Sequence, residues 1–259
     1  MTLPAPDPAF RWSREPWGAA LRCRRLETTA QHLFTSKQLA LPDAESWTAA
    51  TASVGGAPDR LMRVKQVHGN TVRVLRRGEV TEADAATRPD GDAIVSNEAG
   101  LILAVMVADC VPILIVDPVN GAAAAVHAGW RGTCARVAPA AIAAMQREFG
   151  TRPSDVLAAL GPSVGPDDYE VGHALIDAFR DAGHEPRDLD RWFIQTPSKP
   201  HLNVWQANVD QLIAAGVRAD AVFRCGLSTV AHHDVFDSYR VDGEKAGRMA
   251  ALVVVPAPA

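Results

Sequence analysis

Residues 108 to 132, ADCVPILIVDPVNGAAAAVHAGWRG, hold two apolar runs without polar alternation, joined by the turn residues Asp117, Pro118, Asn120 and Gly121. This spacing predicts a β-hairpin, and strands that are apolar throughout must be covered on both faces. The alanines of AAAAVH leave room for those covering elements to approach closely. A second long apolar run, DAIVSNEAGLILAVMVADC, reads as a strand of the same kind ending at Asp109 and Cys110.

Helices account for much of the remaining pattern. TCARVAPAAIAAMQREFG has helical spacing from about Val137 to Phe149, with Gly150 as its stop, and GHALIDAFRDAG is amphipathic. NVWQANVDQLIAAG has Asn203 as its cap and Gly216 as its end, while DVLAAL, AVFRCG and MAALVVV read as further strands. The expectation is an α/β (α+β) fold, a single domain of mixed β-sheet layers flanked by helices. It is expected to span residues 21–259 behind a loose arm at residues 1–20, where Pro4, Pro6, Pro8 and Pro16 interrupt regular hydrogen bonding.

Charge and composition exclude several functions. The formal net charge of -4 is spread over 26 basic and 30 acidic residues with no block of one sign, which argues against a nucleic-acid or membrane-surface partner. No apolar run has the length of a membrane span, and the proline-rich start does not read as a signal peptide, so a cytoplasmic protein is expected. Cys23, Cys110, Cys134 and Cys225 are scattered without CxxC spacing, so a ligand or nucleophile is a better expectation than a disulfide framework.

Cys110 and His127 lie at predicted strand ends. RLMRVKQVHGNTVRVLRRG reads as strand, turn, strand with His68 at the tip. Two imidazoles and one thiolate make a three-ligand zinc set that keeps a fourth position open, as catalytic zinc requires. Spacing alone is a weak signal and favours ordinary buried and turn residues over a metal set. Asp109, beside Cys110, could cap a strand-end amide or carry a proton. Arg131 is expected just ahead of a helix N-terminus, a place suited to an anion.

Six segments in order, KQVHGNTV, VADCVPILIVDP, AVHAGWRG, LGPSVGPDDYEVG, HLNVWQANVDQL and FDSYRVDGEKAGRMA, resemble the polyphenol oxidoreductase (laccase-domain) family, also described as purine nucleoside phosphorylases and peptidoglycan editing factors. The resemblance runs from about Arg63 to Val255 and implies zinc held by His68, Cys110 and His127. It also implies phosphorolysis of adenosine, inosine, guanosine and methylthioadenosine, and deamination of adenosine. On that footing Cys110, His127, Asp109 and Glu170 are catalytic candidates, while Arg131, Arg63 and Lys37 are candidates for holding substrate. Two departures stand out. HLFTSKQLALPDAES keeps Phe34, Thr35 and Ser36 but has Lys37 at an arginine position and lacks the glycine-rich stretch, and Asp167 and Asp168 replace common cysteines.

Other readings use the same residues differently. Copper could take His68, Cys110 and His127 with Met106 as axial ligand, giving a copper-dependent polyphenol oxidase, although there is no His-x-His pair and only His232 and His233 are adjacent. Cys110 could instead be the nucleophile of a peptidoglycan-precursor editing amidase, with His127 or His68 as its base. An interaction module with a structural zinc is the fourth reading. The leading expectation is a zinc enzyme, monomer or small homo-oligomer, with purine nucleosides and phosphate as partners and neither nucleic acid nor membrane.

Overall fold

The central hairpin forms as its sequence predicts, with Ile113 opposite Val126 and Asp117 opposite Ala122. Asp117 builds the turn: its carboxylate accepts from the backbone N–H groups of Val119 and Asn120 and from the Asn120 amide. Gly121 supplies the positive φ of 63° that the turn requires.

The structure is a computed structural model that describes residues 2–41 and 43–258. Its strands are β1 (Phe10–Glu15), β2 (Gly18–Cys23), β3 (His32–Thr35), β4 (Leu61–Met62), β5 (Val72–Leu75), β6 (Ala93–Ser96), β7 (Ile102–Val107), β8 (Val111–Asp117), β9 (Ala122–Ala128), β10 (Leu157–Leu160), β11 (Phe193–Ile194), β12 (His201–Leu202), β13 (Val222–Arg224) and β14 (Met249–Val254). The helices are α1 (Ala44–Ser53), α2 (Glu82–Ala86), α3 (Trp130–Cys134), α4 (Val137–Phe149), α5 (His173–Asp181), α6 (Pro186–Trp192), α7 (Val204–Ala214) and α8 (Tyr239–Asp242). None is long and apolar enough to cross a membrane.

Two mixed sheets carry the fold, one in the order β1-β2-β3-β14-β7-β4 and the other β13-β10-β8-β9-β6-β5. Between them lie Leu103, Val105, Ala251 and Val253 of the first sheet against Leu114, Val116, Ala123 and Ala125 of the second. On its other face the second sheet packs Ile113, Ile115, Ala124 and Val126 against Ala141, Ile142 and Met145 of α4 and Leu212 of α7. The first sheet covers Ile102, Ala104 and Leu252 with Trp47 and Ala50 of α1. The result is one mixed α/β domain layered helix, sheet, sheet, helix, with β8 and β9 covered on both faces.

Three expectations are corrected. The supposed arm is ordered from Phe10, since β1 and β2 pair along their whole length and Phe10 is buried. Pro16 lies in the turn between them, and the Trp12 indole donates to the Pro4 carbonyl. Second, β4 and β5 are not a hairpin: β4 runs parallel to β7 in the first sheet and β5 parallel to β6 in the second. Third, the run from Asp92 to Cys110 is two strands in different sheets, broken at Gly100, whose φ is 79°. His68 and Cys110 therefore lie on links that pass from one sheet to the other.

Candidate metal centre

His127 is the next-to-last residue of β9, and by strand alternation its side chain shares the inter-sheet face with Ala123 and Ala125. It is 3% exposed. Cys110 stands immediately before β8, at the end of a link that turns through Asp109 at φ 80°. Asp109 is anchored at both carboxylate oxygens, accepting from the Thr229 hydroxyl at 2.6 Å and the Arg240 backbone N–H at 2.7 Å. His68 arrives from the other link with φ 62°, and its ring meets that of His127 edge-on at 4.9 Å.

The ligand atoms of His68, Cys110 and His127 lie within 4.8 Å of one another. Tetrahedral bonds of about 2.0–2.3 Å place such atoms roughly 3.3–3.6 Å apart, so small side-chain rotations suffice for a metal. The donor set of two imidazoles and a thiolate suits zinc, and His68 is exposed to solvent while His127 is buried. Gly129 makes the approach of the strand end to Cys110 feasible, because a Cβ there would stand 2.7 Å from the Cys110 Sγ.

Electrostatics prepare the group for a cation. Burial pushes the Cys110 thiol up, yet His127 and His68 outweigh it and bring it down to about 6. Burial pushes His127 down, and Cys110 with Asp92 raises it to about 9. Both shifts favour the thiolate and imidazolium forms of the pair, and a divalent cation would replace the imidazolium proton. Asp92, wholly buried immediately before β6, was missed as a site residue. Its Oδ1 accepts from His127 Nδ1 at 2.8 Å. In the sequence it marks only the beginning of the run DAIV.

Tyr169 stands beside the group. Burial raises its phenol to about 12, with Cys110 and Asp109 pushing the same way and Arg240 and Arg131 opposing them. Arg240 lies over its ring at 5.1 Å, and Arg131 lies over Trp130 at 4.3 Å. Tyr169 and Arg240 were also missed, although both fall in quoted motifs. Arg131 belongs to α3 and does not precede α4; Arg136, left-handed at φ 61°, separates the two helices. Its case as an anion ligand rests on the guanidinium, since α3 has too few residues for an appreciable dipole.

The other candidates have different neighbours. The Glu170 carboxylate pairs with Lys199 at 3.2 Å, which holds it below the usual range. Lys37 donates to the His233 carbonyl. Arg63 lies 4.4 Å over Trp47 of α1, and burial, with Arg88 nearby, pulls it down to about 10. Met106 packs with Trp47 and Ile102 on the α1 face of the first sheet, the face turned away from Cys110, which corrects its reading as an axial ligand. Among the described residues, His232 and His233 form no metal-binding group. A cavity of about 580 Å³ bordered by Arg136, His184, Trp192 and Gln211 lies among the helices, and none of the three ligands lines it.

The family described as multi-copper polyphenol oxidoreductase laccase matches residues 44–256. The chain belongs to that family. It is 36% identical to a purine nucleoside phosphorylase of Deinococcus radiodurans, over 83% of this chain and 78% of that protein. It is 35% identical to adenosine deaminase RL5 from an unknown prokaryotic organism, over 73% of each. A purine nucleoside phosphorylase of Bacteroides thetaiotaomicron is 39% identical, and the match spans 60% of that relative's length. The crystal structure of YlmD from Geobacillus stearothermophilus shares the fold with a TM-score of 0.83 at 28% identity, covering 95% of this chain and 98% of that one.

Proposed function

We propose that the protein is a zinc-dependent purine nucleoside phosphorylase with adenosine deaminase activity, acting on adenosine, inosine, guanosine and methylthioadenosine. The observation that carries this reading is the convergence of His68, Cys110 and His127 with the His68 side open to solvent. Relatives named for nucleoside phosphorolysis and adenosine deamination support it. Zinc bound there supplies a Lewis acid for a purine or a water molecule.

In phosphorolysis a phosphate oxygen bonds to C1′ of the ribose as the bond to the purine nitrogen breaks and its electron pair leaves with the base. Arg131 holds the phosphate through its planar fork of donors. Arg63 and Lys37, which lie on Trp47 and on the His233 carbonyl, are secondary contacts for it. In deamination water adds at C6 and ammonia departs. Asp109, fixed beside Cys110, is the candidate for moving the proton, and Glu170, paired with Lys199, stands second. The copper and amidase readings are less well supported, because Met106 faces α1 and the relatives' names describe nucleoside chemistry.

Purified protein incubated with adenosine, with and without phosphate, tests the proposal by chromatography of all products. Adenine and ribose 1-phosphate only with phosphate, and inosine without it, are the expected products. Neither product from zinc-loaded protein would overturn it.

A further inference from the structure

We infer that Asp92 is the positioning residue of this centre: a single buried carboxylate selects the nitrogen that His127 offers to the metal and fixes the backbone that carries His68. The inference rests on the reading that His68, Cys110 and His127 hold a metal.

The hydrogen bonds of Asp92 fill its carboxylate. Oδ1 accepts from His127 Nδ1 at 2.8 Å and from the His68 backbone N–H at 2.9 Å. Oδ2 accepts from the backbone N–H groups of Gly69 at 2.6 Å and Val67 at 3.3 Å. An ionised carboxylate offers about four acceptor sites and no donor, so these partners match its full capacity. The main chain of Asp92 is held as well, since its carbonyl accepts from the His127 N–H at 2.7 Å and its N–H donates to the Thr71 carbonyl.

Two consequences follow from this geometry. An acceptor at Nδ1 keeps the proton there and leaves the Nε2 lone pair for the metal. The three consecutive N–H groups hold residues 67–69 around one point, which compensates for the φ of 62° that His68 adopts against its usual preference. One side chain thereby aligns two ligands that come from different segments.

Asp92→Asn keeps the shape and breaks the match. Its amide nitrogen cannot accept, so either the N–H groups at 67 and 69 lose their acceptor or His127 meets a donor and shifts its proton to Nε2. In protein that remains folded by circular dichroism, zinc affinity measured against a competing chelator should fall about tenfold to hundredfold. A purely structural role would lower Tm and leave that affinity unchanged, which would overturn the inference. Nitrogen-15 NMR of the zinc-loaded natural protein decides the matter even if the variant does not fold. A protonated Nδ1 and a metal-bound Nε2 on His127 are expected, and the reverse would overturn the inference. Zinc binding without nucleoside turnover would defeat the proposed function alone, while absence of zinc binding would defeat both.

Discussion

His32 and His127 are both buried histidines in apolar strands, one in each sheet, at 0% and 3% exposure. Their chemistry is opposite. The His32 ring accepts the Cys23 backbone N–H at Nε2 and bonds the Ala30 carbonyl through Nδ1, and burial pulls it down to about 4. Against the same desolvation, His127 rises to about 9, because Cys110 and Asp92 face it. Burial alone makes a histidine an inert neutral part of the core. A carboxylate on one nitrogen and a thiolate by the other make it a ligand held ready for a cation.

The widest separation between the two is expected in metal content. Protein purified without added metal should carry about one zinc per chain, and His127→Ala, Cys110→Ala and His68→Ala should lose it while folded. His32→Gln should keep it in full by elemental analysis, and equal occupancy in all of these variants would erase the distinction.

Thiol reactivity should divide in the same way. Cys110, near 6, is mostly ionised at pH 7, whereas burial raises Cys23, Cys134 and Cys225. A bound metal shields the thiolate, so iodoacetamide should label Cys110 slowly until a chelator is added and then on the order of a hundredfold faster. Fast labelling that ignores the chelator, followed by mass spectrometry of the labelled peptide, would favour a free nucleophile.

The pH dependence of stability isolates His32. Its folded value of about 4 lies below the usual histidine value of 6.5, so between these limits the unfolded chain binds the extra proton. Stability is therefore unaffected by this group above about pH 6.5 and falls as the pH drops towards 4, by about 3 kcal/mol in total. Denaturant titrations of His32→Gln should lack that component. An undiminished slope in the variant would assign it to other groups.

Arg131→Met, which keeps much of the stem, should raise the apparent phosphate constant by roughly tenfold to hundredfold, the equivalent of about 1.5–3 kcal/mol. Deamination should fall much less, because water replaces phosphate. Equal losses in both assays would remove Arg131 from phosphate binding.

The sequence disclosed the candidate ligands more readily than their support. The β8–β9 hairpin, α4 with its glycine stop and α7 with its Asn203 cap follow from local pattern, and His68, Cys110 and His127 could be named from segment ends and family resemblance. Asp92 could not be, because its role depends on β6 lying beside β9, a tertiary pairing with no local signature. The link through His68 alternates much as a hairpin does, and period alone cannot tell which sheet a strand joins. Arg136 hid the break between α3 and α4, since a left-handed arginine has no sequence signal of its own. Asp43, whose side chain accepts from the Ser46 N–H, was a legible cap for α1 in a stretch read only for its missing glycines.

The place of β14 sets a constraint on how the molecule comes into being. It lies between β3 and β7, pairing Ala251 with Phe34 on one side and with Val105 on the other. Until this strand has been synthesised, both neighbours present unpaired backbone groups along a largely apolar surface. Pairing so far apart in sequence carries a large loop-closure cost and slows the search for the native arrangement. The first sheet must therefore wait for β14 to leave the ribosome, and during that interval its open edges are where the nascent protein is most exposed to mispairing with another copy.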